Sequence, residues 1–516
     1  MRIKPFLLTK VRIIVFLTII VIIGGLLRFS AITTDPPGLY IDEISIGLNA
    51  YDILHTGKDQ YGYSYPLTFK SLGDYKMPVY IYLASLSMSL FGKTEFAIRF
   101  PSALAGTLTI IVVFFLTKEL IENDKKMKKH ASILALLSAG ILAILPWHIQ
   151  FSRGGFEVTV ALFFYSIGLL LSLIFFKKNK LQYALFAVMT FALTMYTYHT
   201  YRLLSPLTVF IELLYSIKNK KYMKNMILAF VLFYILAYPI ISYSLTPVGQ
   251  TRLQQTSAFV SNPYPQGTEN NLADGIIFIT NYLSFFSLSY LFYTGDQINR
   301  HQIANFGLLY LWQLPFIFAG IYFVIKKIQS NFLRFSIFIL LFIAPIPAAF
   351  AVPSPHTLRF LLSSIPFSIL TSFGLYYIFT LKKPWKKFII GLTIFFVLAE
   401  FCYFVDYYFI HYPKTALIDW GGECKEVVYD IQKESNRYNH IVVDRNIDCI
   451  PEYFMFYIPT THIVYADPDW REPSSWKNKP VLYVRPFYGN KHPDHLMYNV
   501  YLPNINHDIF AQFIKL

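Results

Sequence analysis

The sequence is poor in charge, in cysteine and in any repeat. Only 15% of its 516 residues are Asp, Glu, Lys or Arg, against roughly 25% in a typical soluble domain, which excludes an ordinary water-soluble enzyme. Three cysteines are too few for a disulfide scaffold. Glycine follows no period and no segment is low in complexity, so a collagen-like fibre and an extended disordered chain are excluded as well. What is abundant is apolar: 55% of positions are hydrophobic and 18% aromatic. They fall in runs of roughly 16 to 22 residues, long enough to cross a bilayer core.

The formal charge of +15 invites a nucleic-acid reading until the basic residues are placed. They cluster between apolar runs: residues 1–12, Lys125–Lys129, Lys177–Lys180, Lys218–Lys224 and Lys382–Lys387. Cytoplasmic loops carry such an excess, so the charge orients helices and meets anionic headgroups. No nucleic-acid partner is expected. Charge placement also fixes the register. If the short segment Met77–Phe91 lies in the interface, Lys125–Lys129 falls inside. The expected spans are then 11–27, 99–117, 132–147, 157–176, 181–197, 203–217, 226–244, 306–325, 335–351, 360–380 and 387–405. The reading is an α-helical, multi-pass protein of the cell membrane with about eleven spans and a cytoplasmic N-terminus.

Two outer segments exceed simple connectors: about 30–98, which holds TTDPPGLY, and about 245–305, which holds NPYPQGTENN and a short apolar helix near 275–292. Large loops on one face are where function concentrates. Residues 1–405 form one transmembrane domain in this reading. Residues 406–516 form a small extracytoplasmic α/β domain, with ECKEVVYDIQKES as helix and HIVVD and PVLYVRPF as strands.

Charges inside hydrocarbon are costly, and the conspicuous ionisable residues sit instead at outer helix ends. They are Asp42 and Glu43, Asp74 and Lys76, Arg153 and Glu157, His199 and Arg202, Asp296, Arg300 and His301, and His356 and Arg359. Adjacent carboxylates supply a base and a neighbour that tunes it, or simply favour a helix N-terminus. Arginine and lysine at a membrane surface suit a lipid-linked phosphate, or simply snorkel.

Five motifs occur in order: LYIDEISIGLNAYDILHTGKDQYG, YKMPVYIYLASLSMSLFGKTEFAIRFPSALAG, WHIQFSRGGFEV, TYHTYRLLSP and SYLFYTGDQINRHQIANFGLLYL. Together they resemble the GT-C fold glycosyltransferases that use polyprenyl-phosphate sugars, the group of protein O-mannosyltransferases and aminoarabinose transferases. The resemblance covers roughly residues 10–410. It implies an inverting transfer from a polyprenyl-phosphate carrier to a glycan, lipid or protein hydroxyl on the outer face. Asp42 would be the base and Glu43 its catalytic companion. Donor-phosphate contacts would come from Lys76, Arg202, Arg359, Arg153 and Arg300. Substrate contacts would come from Asp74, Glu157, His199, Tyr201, Asp296 and His301, with a proton on His199 assisting the leaving group.

The sequence departs from the pattern where Met77 replaces a proline and Tyr75 stands where relatives place glutamate. No cofactor is assigned. A divalent metal among Asp42, Glu43, Asp74 and His301 is left open, as no spacing has the force of a zinc motif. A disulfide between Cys424 and Cys449 is equally open. The competing classes are a transporter or flippase for lipid-linked saccharides, a ligase using a longer saccharide, and a noncatalytic scaffold. A transporter calls for polar residues along a path and internal symmetry, which the sequence does not display.

Overall fold

A computed structural model describes residues 9–435 apart from 72–73, 260–270, 304–305 and 382–383. Beyond them it describes 440–444, 451–458, 463–466, 481–487 and 497–501. The expectations for NPYPQGTENN, Lys382, Lys383 and Cys449 lie outside these residues, apart from the final asparagine of that stretch, which opens a helix. Cys424 is disulfide-bonded and Cys402 is free.

The first helix, α1 (Lys10–Phe29), is followed by α2 (Ile41–Thr56), a two-residue hairpin of β1 (Phe69–Lys70) with β2 (Tyr75–Lys76), α3 (Pro78–Phe91) and the long α4 (Glu95–Glu122). Next come α5 (Ala131–Ile144), α6 (Pro146–Arg153), α7 (Glu157–Lys178), α8 (Leu181–Met195), α9 (Tyr201–Lys218), α10 (Met223–Ser244), α11 (Pro247–Thr256) and α12 (Asn271–Ser284). The chain continues through α13 (Gln313–Lys327), α14 (Asn331–Ile343), α15 (Ile346–Ala349), α16 (Ser364–Thr380), α17 (Lys386–Asp406), α18 (Tyr412–Thr415), α19 (Gly422–Ser435) and α20 (Pro451–Tyr457). The expected tail strands appear as β3 (His440–Asp444) and β5 (Val481–Phe487). With β4 (Ile463–Ala466) and β6 (Met497–Tyr501) they form a sheet in the order β4-β3-β5-β6, parallel except at β5-β6.

Among the described residues seven helices are long and apolar enough to cross a membrane, or eight if α5 and α6, bent by 57° at Pro146, count as one span. This makes the protein a multi-pass membrane protein. The expected spans at 181–197, 203–217 and 306–325 correspond to α8, α9 and α13. Helix α8 has only 15 residues, about 22 Å at 1.5 Å each, short of a ~30 Å core. Helix α13 starts at Gln313 because Phe306–Trp312 runs as an irregular entry whose last two amides, Leu311 and Trp312, donate to the Glu400 carboxylate of α17 at 2.9 and 3.1 Å. Glu400 thus answers orphan donors of a helix start, a charge inside an expected span. Helices α13 and α16 approach so closely that a Cβ on Gly320 or Gly374 would strike the partner's backbone, the small-residue crossing common between membrane helices.

The lysine-bearing ends of these helices meet. Lys177 of α7 bonds Glu119 and Glu122 of α4 at 2.7 and 2.9 Å. Asn179 donates to the Lys221 carbonyl at 3.0 Å. Asp124 accepts from the Gln329 and Ser330 amides at 2.6 and 2.9 Å. The opposite ends of the same helices carry the site.

Candidate active site

Helix α2 begins with Asp42 and Glu43 in its first turn and ends at Gly57 with φ 69°, the left-handed stop that favours glycine. The macrodipole reading of the acidic pair is therefore right as geometry, but the two carboxylates face opposite ways. Asp42 opens onto a cavity of about 580 Å³, with 39% of its side chain exposed. Glu43 is fully buried and lines no part of that cavity.

Glu43 accepts from Arg99 Nε at 2.8 Å, Arg99 Nη2 at 3.0 Å, the Gly155 amide at 2.7 Å and the Tyr40 amide at 3.2 Å. Arg99 in turn donates to the carbonyls of Ile32, Pro36 and Gly38, so every N–H of its guanidinium is engaged. The sequence places Glu43 beside the base as a catalytic partner. Its geometry makes it a positioning residue that fixes the turn carrying Asp42.

The Lys76 ammonium lies 2.7 Å from Asp42 Oδ1 and 3.3 Å from Asp74 Oδ2. The hairpin β1-β2 presents Lys76 because its register pairs Phe69 with Lys76, burying both. Arg252 of α11 reaches the same Asp74 oxygen at 3.3 Å. Burial alone would push the Asp42 carboxyl up; the attraction and hydrogen bond of Lys76, aided by Arg252 and Arg300, outweigh it and hold Asp42 below the usual carboxylate range. Burial works against the Lys76 ammonium, but Asp42, Glu157 and Asp74 raise its pKa above the ordinary lysine value.

The cavity wall also holds Glu157, His199, Arg202, Arg300, His301 and Arg359, as the sequence anticipates. Arg202 lies beside the Met77 sulfur at 2.8 Å, Arg300 stacks over the Tyr40 ring at 5.1 Å, and Arg359 reaches the Val352 carbonyl at 3.4 Å. Burial first, then Arg202, Arg252 and Lys76, lower the His199 pKa well below its ordinary value. The His199 Nε2 donates to the Tyr75 carbonyl at 3.2 Å, and the lowered pKa disfavours the doubly protonated ring that would assist a leaving group.

Three expected contacts are elsewhere. Arg153 is fully buried, 2.7 and 2.6 Å from the carbonyls of Leu27 and Asp35, and ties α6 to the first outer loop. Tyr201 is buried with its ring 5.1 Å from Tyr165. Asp296 stands behind the wall, accepting from the Thr357 and Ile298 amides at 2.6 and 3.0 Å.

Arg252 escapes the sequence reading although it faces Asp42. Its only signal is a lone arginine in the polar stretch TPVGQTRLQQT, and nothing local says that α11 folds back over the cavity. Arg99 was visible within the second motif, but its pairing spans 56 residues.

Residues 75–243 match the family described as Dolichyl-phosphate-mannose-protein mannosyltransferase. The crystal structure of ArnT from Cupriavidus metallidurans bound to undecaprenyl phosphate is similar at TM-score 0.54 and 11% identity, covering 92% of this chain and 93% of that one. The chain has the GT-C glycosyltransferase fold. Archaeal oligosaccharyltransferase AglB from Archaeoglobus fulgidus, in complex with an inhibitory peptide and a dolichol-phosphate, is similar at TM-score 0.51 and 13% identity over 88% of this chain. The chain spans only 64% of that protein's length. No curated protein matches by sequence. Within the GT-C frame, Asp42 and the basic wall occupy one end of the helix bundle and the lysine clusters the other.

Proposed function

We propose that this GT-C chain is a membrane glycosyltransferase that moves a sugar from a polyprenyl-phosphate carrier to a hydroxyl of a glycan, lipid or protein on the outer face of the membrane. One observation carries the reading: a half-exposed carboxylate, Asp42, opens onto a cavity walled by Lys76, Arg202, Arg252, Arg300 and Arg359. Asp42 takes the acceptor's proton as its oxygen attacks the anomeric carbon, so the configuration inverts. The departing lipid phosphate gathers charge against guanidiniums already in place, which helps the transition state more than the ground state.

Lys76 has two roles in this scheme. In the empty site it neutralises Asp42, and a carboxylate so paired is a weak base. A donor phosphate entering beside Lys76 competes for the ammonium, leaving Asp42 in its burial with less compensation and more basic. The base is thus strengthened only when the donor is bound. The N-terminus is cytoplasmic in this reading, and residues 406–516 form an outer domain contacting the first loop through Tyr453 and the Leu39 carbonyl.

The test supplies purified wild type and Asp42→Asn with a panel of prenyl-phosphate sugars and an acceptor mixture, and follows free prenyl phosphate by mass spectrometry. Wild type releases it; Asp42→Asn is slower by about 10²–10⁴-fold, the usual contribution of a general base. Equal rates remove Asp42 from the mechanism. Movement of intact donor across vesicles without release would make the protein a flippase.

A further inference from the structure

His301 and His356 in the wall of this cavity meet Asp296 behind it, and all three are buried. They arrive from different places: Asp296 and His301 from the segment before α13, His356 from the loop before α16. One ligand atom from each lies within 4.8 Å of the other two. Both imidazoles aim Nδ1 at the same carboxylate oxygen, His301 at 3.5 Å and His356 at 3.9 Å from Asp296 Oδ2. Those separations exceed a normal N–H···O bond, and neither buried Nδ1 has a hydrogen-bond partner. Two nitrogens converging on one oxygen without bonding it is the spacing of ligands around an ion. Metal–ligand bonds of about 2.0–2.2 Å in a tetrahedron set their edges near 3.3–3.6 Å; the His301 edge is already there and the others close by side-chain movement from within 4.8 Å.

The surroundings are built to hold that arrangement. Asp296 is fixed by the Thr357 and Ile298 amides. The His301 ring packs 4.8 Å from the His356 ring and 5.6 Å from Phe151. The geometry points to a three-ligand site for a divalent transition ion, with Asp296, His301 and His356 as ligands and the fourth position open to the cavity. Two imidazoles and one carboxylate form the donor set of sites that leave a coordination position free, and zinc accepts it readily. Neither histidine has a local zinc spacing, which hid the site in the sequence.

The charges facing this triad say what the open position takes. Arg300, Arg359 and Arg252 act on the two histidines, so a dication here sits among guanidiniums, and an anion must bridge them. A phosphate oxygen has that chemistry, from a lipid carrier or from free phosphate. This assignment of the fourth ligand rests on the transferase reading, whereas the metal site does not.

The experiment uses the full chain in detergent, stripped with chelator, and titrates Zn2+ alone by calorimetry and elemental analysis. Wild type is expected to bind about one equivalent. Asp296→Asn and His356→Gln should weaken binding by at least about 10–100-fold, the loss seen even when an outer partner of a metal ligand is removed. Asp42→Asn, in the same cavity, should retain it. Thermal unfolding of the metal-free proteins checks that the variants are folded. Cobalt substitution gives a second readout, a visible absorption present in wild type and absent in His356→Gln. Undecaprenyl phosphate and inorganic phosphate, added separately, should each tighten zinc if the shared phosphate group is the fourth ligand, and only the lipid should if the tail is needed. A stripped wild type that takes up no more zinc than Asp296→Asn, or an Asp42→Asn that loses as much as His356→Gln, overturns the site. Donor turnover plays no part in these readouts, so failure of the transferase reading leaves them intact.

Discussion

At the scale of single residues the site is governed by which carboxylate meets which cation. Asp42 has its pKa depressed by Lys76, so the base form persists below the ordinary carboxylate value. The acid limb of kcat/KM, which reports the free enzyme, is expected below about pH 4, the unperturbed aspartate value. In Lys76→Met the largest compensation is gone and only Arg252 and Arg300 oppose burial, which raises the Asp42 pKa and moves that limb to higher pH. A pH profile of released prenyl phosphate for both proteins measures the shift; a limb that stays in place would detach Lys76 from the base. The stability linked to this pair has the same sign: it is present above the unfolded carboxylate pKa and is lost as pH falls through the lower folded value. Glu43 behaves differently because it is never exposed. Glu43→Ala strands the buried Arg99 guanidinium, and breaking such a pair costs about 3–5 kcal/mol. Thermal unfolding in detergent should show that loss, whereas Asp42→Asn, half-exposed, should unfold close to wild type. Sequence alone reveals an acidic pair at this point but cannot divide the roles, since the division depends on Arg99 and Gly155, 56 and 112 residues away.

The elements show why some of this was legible and some was not. Long apolar runs read directly as α1, α4, α7 and α10, because membrane helices must satisfy their backbone internally and announce themselves by length. Helices α8 and α9 read as full spans for the same reason, yet α8 is short and α9 begins with a polar end whose Arg202 belongs to the cavity wall. The sequence reading assigns residues 406–516 to an outer domain, and the first part of that stretch packs on the site. Trp420 is fully buried, with its ring 5.4 Å from Tyr40 and 5.8 Å from Phe156 and its indole N–H bonded to Tyr412 at 2.8 Å. It closes the aromatic wall behind the turn of Asp42, linking the end of the last span to the start of α2. Trp420→Ala removes that wall. A buried tryptophan so truncated costs about 3–5 kcal/mol, and Arg300, stacked on Tyr40, loses its backing. The expected result is a lower melting temperature together with a raised KM for the donor. A kcat loss with KM unchanged would mean that Trp420 supports Asp42 rather than the phosphate wall.

For the whole molecule the governing question is which end of the bundle faces the cytoplasm. The +15 charge is unevenly divided: the lysine runs gather where α4, α7, α9 and α10 have their ends farthest from the cavity, while a smaller set of cations surrounds Asp42. Positive charge near span ends marks the cytoplasmic side, so the proposed function expects the cavity to face outward. Asn123 is exposed at the lysine end, directly after α4. A single cysteine there, in a chain whose Cys402 is replaced by serine, should resist a membrane-impermeant maleimide in intact cells and label once the membrane is opened. A cysteine at exposed Tyr63, in the first outer loop, should label in intact cells. The reverse pattern would put Asp42 and its basic wall in the cytoplasm, and a donor carried on the outer leaflet would then be the wrong substrate even if every residue assignment held.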